Sequence, residues 1–174
     1  VRERAARVSF VLAMMVSLLI FSFELSNEIR AYKYDGSGKV PAFELIQTIE
    51  TSAKKDVHDT HNAASGLSLA NDGKHLFCTT AGENTVTMYA VDQETGLLTK
   101  KFTLPISGDY PKDLMIFPDN KHIAYCQSCQ QQYYRFHCGI MKRNIIMMNE
   151  KPRKIETPNC IHIWPVPDTW EQLD

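Results

Sequence analysis

The sequence predicts an all-β fold of four-stranded antiparallel sheets stacked side by side, on three observations. A turn sequence occurs twice, as Asn71-Asp72-Gly73-Lys74-His75-Leu76 and, 47 residues later, as Pro118-Asp119-Asn120-Lys121-His122-Ile123. Each copy lies between runs of alternating apolar residues: Leu67 and Leu69 before Leu76 and Cys78, then Leu114 and Ile116 before Ile123 and Tyr125. A third likeness has a different offset, since Asn27–Asp35 matches Asn84–Asp92 at 57 residues. A turn flanked by period-2 segments is a β-hairpin. Hairpins recurring at such intervals are the mark of β-propeller blades, sheets that bury their two faces only against neighbours.

The elements follow in order. Asn27–Asp35 is a strand, Gly36-Ser37-Gly38-Lys39 its turn, and Phe43–Ile49 the next strand. The first repeated hairpin then leads to Thr85–Val91, which alternates polar and apolar residues before the Gly-bearing turn Asp92–Gly96. Leu97-Leu98-Thr99 and Phe102–Pro105 close that blade, and a third blade starts near Gly108. No helix longer than a turn or two is expected after residue 25.

Composition narrows the function classes. With 19 basic and 20 acidic side chains the net charge is −1, so the chain carries no electrostatic footprint for nucleic acid. Five cysteines, an odd number without regular spacing, point to reduced thiols and a cytoplasmic location rather than a disulfide framework.

Several stretches together resemble the lactonase family of seven-bladed propellers, whose best-known members are 6-phosphogluconolactonases. They are Phe23–Glu28, Asn71–Cys78, Ala81–Val86, and above all Ser107-Gly108-Asp109-Tyr110-Pro111-Lys112-Asp113 with Phe117-Pro118-Asp119. Lys151-Pro152 and Glu156–Ile161 resemble the family's C-terminal end. The resemblance covers roughly residues 23–125 and 148–163. It implies that the chain holds about three blades of seven, the last three, and that it hydrolyses a sugar lactone without a cofactor, 6-phosphogluconolactone foremost. A non-enzymatic propeller that binds a ligand or partner over its funnel is the alternative, because propellers host many functions.

The resulting division is an aberrant N-terminal segment (1–22), a partial propeller (23–164, with 126–147 aberrant) and a C-terminal tail (165–174). Taken literally, Arg2–Arg7 followed by the 16-residue uncharged run Val8–Phe23 reads as a signal peptide or short membrane span, which would make the protein membrane-associated. Another account predicts more. Met14-Met15-Val16 is encoded by ATG-ATG-GTN, which one base earlier gives Asp at 15 and Gly at 16. Those are the positions that a 57-residue offset assigns to Asp72 and Gly73. The same shift permits Pro at 7 and Arg at 8, a pair that the family resemblance marks as a natural phosphate clamp. Gln131-Gln132-Tyr133, shifted likewise, permits the Thr-Val pair found at Thr85-Val86, 47 residues upstream. Both stretches are therefore expected to be out-of-frame translations of propeller sequence. No membrane partner is expected on that account. Self-association through open blade edges is, as is loss of activity in the chain as it stands.

Candidate chemistry lies in loops between blades. Lys112 can bind a substrate phosphate as a point charge, and Asp113 can orient substrate or polarise water. Glu24, at the end of its strand, and His61, in the cluster His58, Asp59, His61, are candidate general bases, and Asn62 a substrate contact. Each has a structural alternative: a salt bridge for Lys112 and Asp113, a strand-end acceptor for Glu24, a solvated connection for the histidine loop. Where lactonase relatives often carry a charged or imidazole group after this loop, Gly66, Leu67 and Ser68 stand here. Cys126-x-x-Cys129 with His137-Cys138 has part of a zinc-site spacing, but adjacent side chains on a strand point apart, so no metal is expected. Cys78 and Cys160 read as small core residues, and His75 and His122 as structural turn residues.

Overall fold

A computed structural model describes residues 8–13, 17–52, 62–128, 134–142, 145–148, 153–155 and 158–164, with side chains outside 128–155. Three antiparallel sheets form. The first is β1 (Val8–Ala13), β2 (Leu18–Phe23), β3 (Glu28–Asp35) and β4 (Ala42–Glu50), in that order. The second is β5 (Ala63–Leu69), β6 (His75–Ala81), β7 (Thr85–Val91) and β8 (Leu98–Pro105). The third is β9 (Pro111–Ile116), β10 (His122–Ser128) and β11 (Tyr134–Lys142), whose outer edge pairs with both β12 (Ile145–Met148) and β13 (Arg153–Ile155). Each is an up-and-down meander, and the first strands lie side by side, β5 between β1 and β9. This is the predicted all-β stack of three propeller blades, with one adjustment: Leu98-Thr99 and Phe102–Pro105 belong to a single strand, β8, and Leu97 precedes it.

The apolar alternation explains how the blades stack. Leu18, Ile20, Ile29 and Ala31 of the first blade meet Leu76, Cys78, Tyr89, Val91 and Leu98 of the second. The opposite face of the second blade, Phe77 and Val86, meets Leu114, Ile116, Ile123 and Tyr125 of the third. Period-2 patterning on both faces thus produces two separate cores. The first blade's outer face carries Phe10, Phe21, Phe23 and Tyr32 in ring contact, centroids 5.7–6.2 Å apart, with Phe10 66% exposed. By the 57-residue offset Phe21 and Tyr32 correspond to Cys78 and Tyr89, which the second blade buries against the first.

The described residues of the uncharged run Val8–Phe23 form two antiparallel strands, β1 against β2 with Ala13 opposite Leu18, and not a helix. No helix among the described residues is long and apolar enough to cross a membrane. The four positions between these strands include 15 and 16.

The repeated turns hold the blade rims. Asp72 and Asp119 each cap the turn with a carboxylate oxygen that accepts a backbone N–H, from Lys74 and Lys121 respectively, both at 2.8 Å. Each also meets the histidine three residues on, Asp72 Oδ2 to His75 Nδ1 at 2.9 Å and Asp119 to His122. The turns are tied together as well. The Asn71 N–H donates to Asn120 Oδ1 at 2.8 Å, and Asn71 Nδ2 to the Pro118 carbonyl at 3.1 Å. The structural reading of His75 and His122 therefore stands.

Partial burial alone would raise the Asp119 pKa, but the Lys121 N–H, the His122 ring and the His122 N–H outweigh it and hold the group at about 2, below its ordinary 3.8. A carboxylate whose folded pKa is depressed stabilises the fold above its unfolded pKa, and that contribution disappears as pH falls through the folded value. Melting temperature is therefore expected to fall between about pH 4 and pH 2, and to fall less in Asp119→Asn. Superimposable melting profiles over that range would refute the assignment.

Candidate functional site

Two clefts open where the innermost strands converge. One, about 510 Å³, lies toward the repeated turns, with Phe10–Ala13, Leu67–Asn71, Asp113, Met115 and His162 among its lining. Its carboxylate is engaged on backbone: Asp113 Oδ1 accepts the Leu114 N–H at 3.0 Å and Oδ2 the Ile161 N–H at 3.1 Å. Segment 158–164 runs beside β9 as β9 runs beside β5. The Ile163 N–H meets Met115 Sδ at 3.3 Å, 48 residues away, as the Ile116 N–H meets Ser68 Oγ at 3.2 Å, again 48 residues away.

The second cleft, about 450 Å³, opens at the other end and has the chemistry of a site. Glu24, Ser65, Tyr110, Lys112, Asn159 and Cys160 line it. Its geometry comes from a repeated irregularity in the inner strands. In β5 pairing jumps from Ala64↔Thr80 to Leu67↔Cys78, so Ser65 and Gly66 together oppose Thr79. In β9 it jumps from Asp113↔Cys126 to Pro111↔Gln127, leaving Lys112 unpaired. A bulge of this kind bends a strand and re-aims a side chain. Ser65 and Lys112 are 47 residues apart, the blade repeat, so the bulges of the second and third blades each deliver one residue to the cleft.

Each bulge is supported by specific groups. The Thr79 hydroxyl accepts the Gly66 N–H at 2.8 Å and lies 2.9 Å from the Ser65 hydroxyl. Replacing Thr79 with Val would leave the buried Gly66 N–H without its acceptor, and unfolding free energy is expected to fall by about 1–3 kcal/mol in a denaturant titration. In the third blade, Gly108 (φ +103°) sits against the fully buried Gln127 side chain. Tyr110 has a left-handed backbone (φ 56°), and the Lys112 ammonium lies 4.5 Å from the centre of its ring, a cation–π distance.

The expected site residues therefore divide. Glu24 and Lys112 share the second cleft, whereas Asp113 lines the first. Asn62 Nδ2 donates to Glu83 Oε1 at 3.2 Å, and the Asn62 carbonyl accepts from Asn27 Nδ2 at 3.0 Å, an inter-blade tie outside the cleft lining. His61, with His58 and Asp59, lies outside the described residues, as do the side chains of Cys129, His137 and Cys138. Cys126 is fully buried in β10, and the described residues hold no group of three metal-ligating side chains. Cys78 is a core residue as expected, its thiol pushed up by burial to about 12 and so kept protonated. Cys160, expected in the core, is exposed and lines the cleft, because segment 158–164 belongs to none of the three sheets. Ser65, Tyr110 and Asn159 were not singled out from sequence; the 47-residue equivalence of Ser65 to Lys112 was the available signal.

The family description Lactonase, 7-bladed beta-propeller matches residues 18–163. The chain belongs to that family. Among solved structures the chain is similar to a Lactobacillus plantarum protein (TM-score 0.73, 22% identity, 89% of this chain and 43% of that one). It is also similar to a candidate 6-phosphogluconolactonase of Bacteroides fragilis (TM-score 0.70, 18% identity, 89% and 40%). A third is the periplasmic gluconolactonase PpgL of Pseudomonas aeruginosa (TM-score 0.69, 18% identity, 89% and 40%). The chain thus spans about two fifths of the length of these structures. No curated protein sequence matches it.

Proposed function

We propose that the Glu24–Lys112 cleft is the substrate-binding part of a sugar-lactone hydrolase whose substrate carries an anionic group, 6-phosphogluconolactone being the leading candidate. The observation that carries this reading is the β9 bulge, which turns a lysine into the same cleft as a carboxylate. In the proposed reaction, water adds to the lactone carbonyl carbon as Glu24 takes its proton. The ring C–O bond then breaks, and the departing ring oxygen receives that proton as an alcohol, leaving a sugar acid. Lys112 holds the remote phosphate as a point charge and so fixes the carbonyl relative to the base. A reactive ester of this kind needs only modest general-base help.

Titration of the 174-residue chain with 6-phosphogluconate and with gluconate tests the binding half. Tighter binding of the phosphorylated acid supports the reading, and equal or absent binding of both refutes it. Turnover is tested by following loss of 6-phosphoglucono-δ-lactone above its spontaneous rate. The three-blade chain alone is expected to add nothing to that rate, and a chain of full family length to accelerate it. A full-length protein that bound a protein partner and hydrolysed no lactone would make the propeller a binding scaffold instead.

A further inference from the structure

Two asparagines occupy equivalent places in consecutive blades, Asn27 between β2 and β3 and Asn84 between β6 and β7. Both adopt the left-handed backbone, φ 53° and 56°. In both, the main-chain carbonyl accepts the N–H of a residue just past the outer strand of the same blade, Thr51 at 2.8 Å and Ile106 at 2.9 Å. In both, the side-chain amide crosses to the chain entering the next blade's innermost strand. Asn27 Nδ2 reaches the Asn62 carbonyl at 3.0 Å, and Asn84 Oδ1 accepts the Tyr110 N–H at 2.8 Å. Asn84 makes one further bond, Nδ2 to Asp109 Oδ1 at 2.8 Å.

The second latch has a consequence the first lacks. Tyr110 is the residue under the Lys112 ammonium, and its positive φ is a conformation that a bulky side chain occupies only when its surroundings hold it there. The Asn84 carboxamide holds it from both sides, through the Tyr110 N–H and through Asp109. We propose that Asn84 is a positioning residue for an anion subsite formed by Lys112 on the Tyr110 ring, and that this latch sets the preference for a phosphorylated sugar over an unphosphorylated one. The inference rests on the function proposed above and deepens it. Without the latch the Ser107–Tyr110 loop relaxes, the ring leaves the ammonium, and the lysine samples many rotamers instead of one.

The test uses the 174-residue chain, with 6-phosphogluconate and gluconate as probes. Asn84→Gly keeps the left-handed backbone and removes only the amide. It is expected to bring the ratio of the two dissociation constants down to within twofold of unity, from at least tenfold in the wild type. The Lys112 side-chain methylene protons, shifted upfield by the Tyr110 ring current, should move to ordinary lysine values. Asn27→Gly, which breaks the matching latch at the other junction, should lower the melting temperature comparably and leave both the ratio and those shifts unchanged. The double exchange Asn84→Asp with Asp109→Asn rebuilds the side-chain pair with reversed polarity and keeps an acceptor for the Tyr110 N–H, so the preference should return. A wild-type preference that survives in Asn84→Gly, or is lost equally in Asn27→Gly, overturns the inference and leaves the lactonase reading intact. A wild type with no preference overturns that reading first.

Discussion

Gly66→Ala is expected to lower unfolding free energy by about 2–4 kcal/mol, near the upper end of what one added methyl can do. An ideal Cβ on Gly66 would lie 2.5 Å from the Leu114 nitrogen and 2.8 Å from the Asp113 carbonyl and α carbons. These atoms are main chain of the neighbouring blade, so no rotamer change can make room. The added methyl has to push β9 away from β5, which opens the seam beside the core formed by Phe77, Val86, Leu114, Ile116 and Ile123. For a chain of this length the melting temperature should fall by roughly 5–15 °C. Because β9 carries Lys112, the ratio of 6-phosphogluconate to gluconate affinity should fall with it. Unchanged melting would mean that the two strands do not approach this closely.

Removing the ammonium is the second large change. Lys112→Ala is expected to weaken 6-phosphogluconate binding by about 10- to 100-fold, the worth of a charge-assisted contact of roughly 1.5–3 kcal/mol. Gluconate, which lacks the phosphate, should bind as before. Lys112→Arg keeps the charge but carries it on a planar fork instead of a compact point, so it should recover only part of the loss. The effect should also shrink as ionic strength rises, since a partly exposed charge is screened. Equal weakening of both ligands would show that Lys112 shapes the cleft without reading the phosphate.

Much of this fold was legible in the residues. Turn sequences such as Asn71–His75 and Pro118–His122 fix hairpins locally, and the alternation of Thr85–Val91 fixes both faces of a strand, so β6, β7 and β10 emerge where period-2 patterning places them. The hairpin of β1 and β2 was legible only through the 57-residue offset, because Val8–Phe23 is uncharged throughout, with three scattered serines and no alternation to read. The site was half legible. Lys112 came from an inter-blade loop and Glu24 from a strand end, and they share a cleft. Asp113 was grouped with Lys112 because the two are consecutive, yet consecutive side chains on a strand diverge, and the bulge at Lys112 leaves Asp113 on the side of Ile161. Cys160 looked like a core residue because Ile161 and Ile163 flank a strand-like pattern; exposure depends on which sheet completes that strand, a long-range fact that local sequence does not carry.

The inner-strand bulge has a consequence for how such a protein can diversify. Since the kink recurs in the second and third blades, with a hydroxyl on it at Ser65 and an ammonium at Lys112, the chemistry displayed at these places is set position by position, like letters on the tumblers of a combination lock. The bond from the Gly66 N–H to the Thr79 hydroxyl does not involve the side chain at position 65, to which the Ser65 hydroxyl adds a contact of its own with Thr79. New ligand preferences are therefore reachable by single exchanges at these places while the barrel of the lock stays as it is.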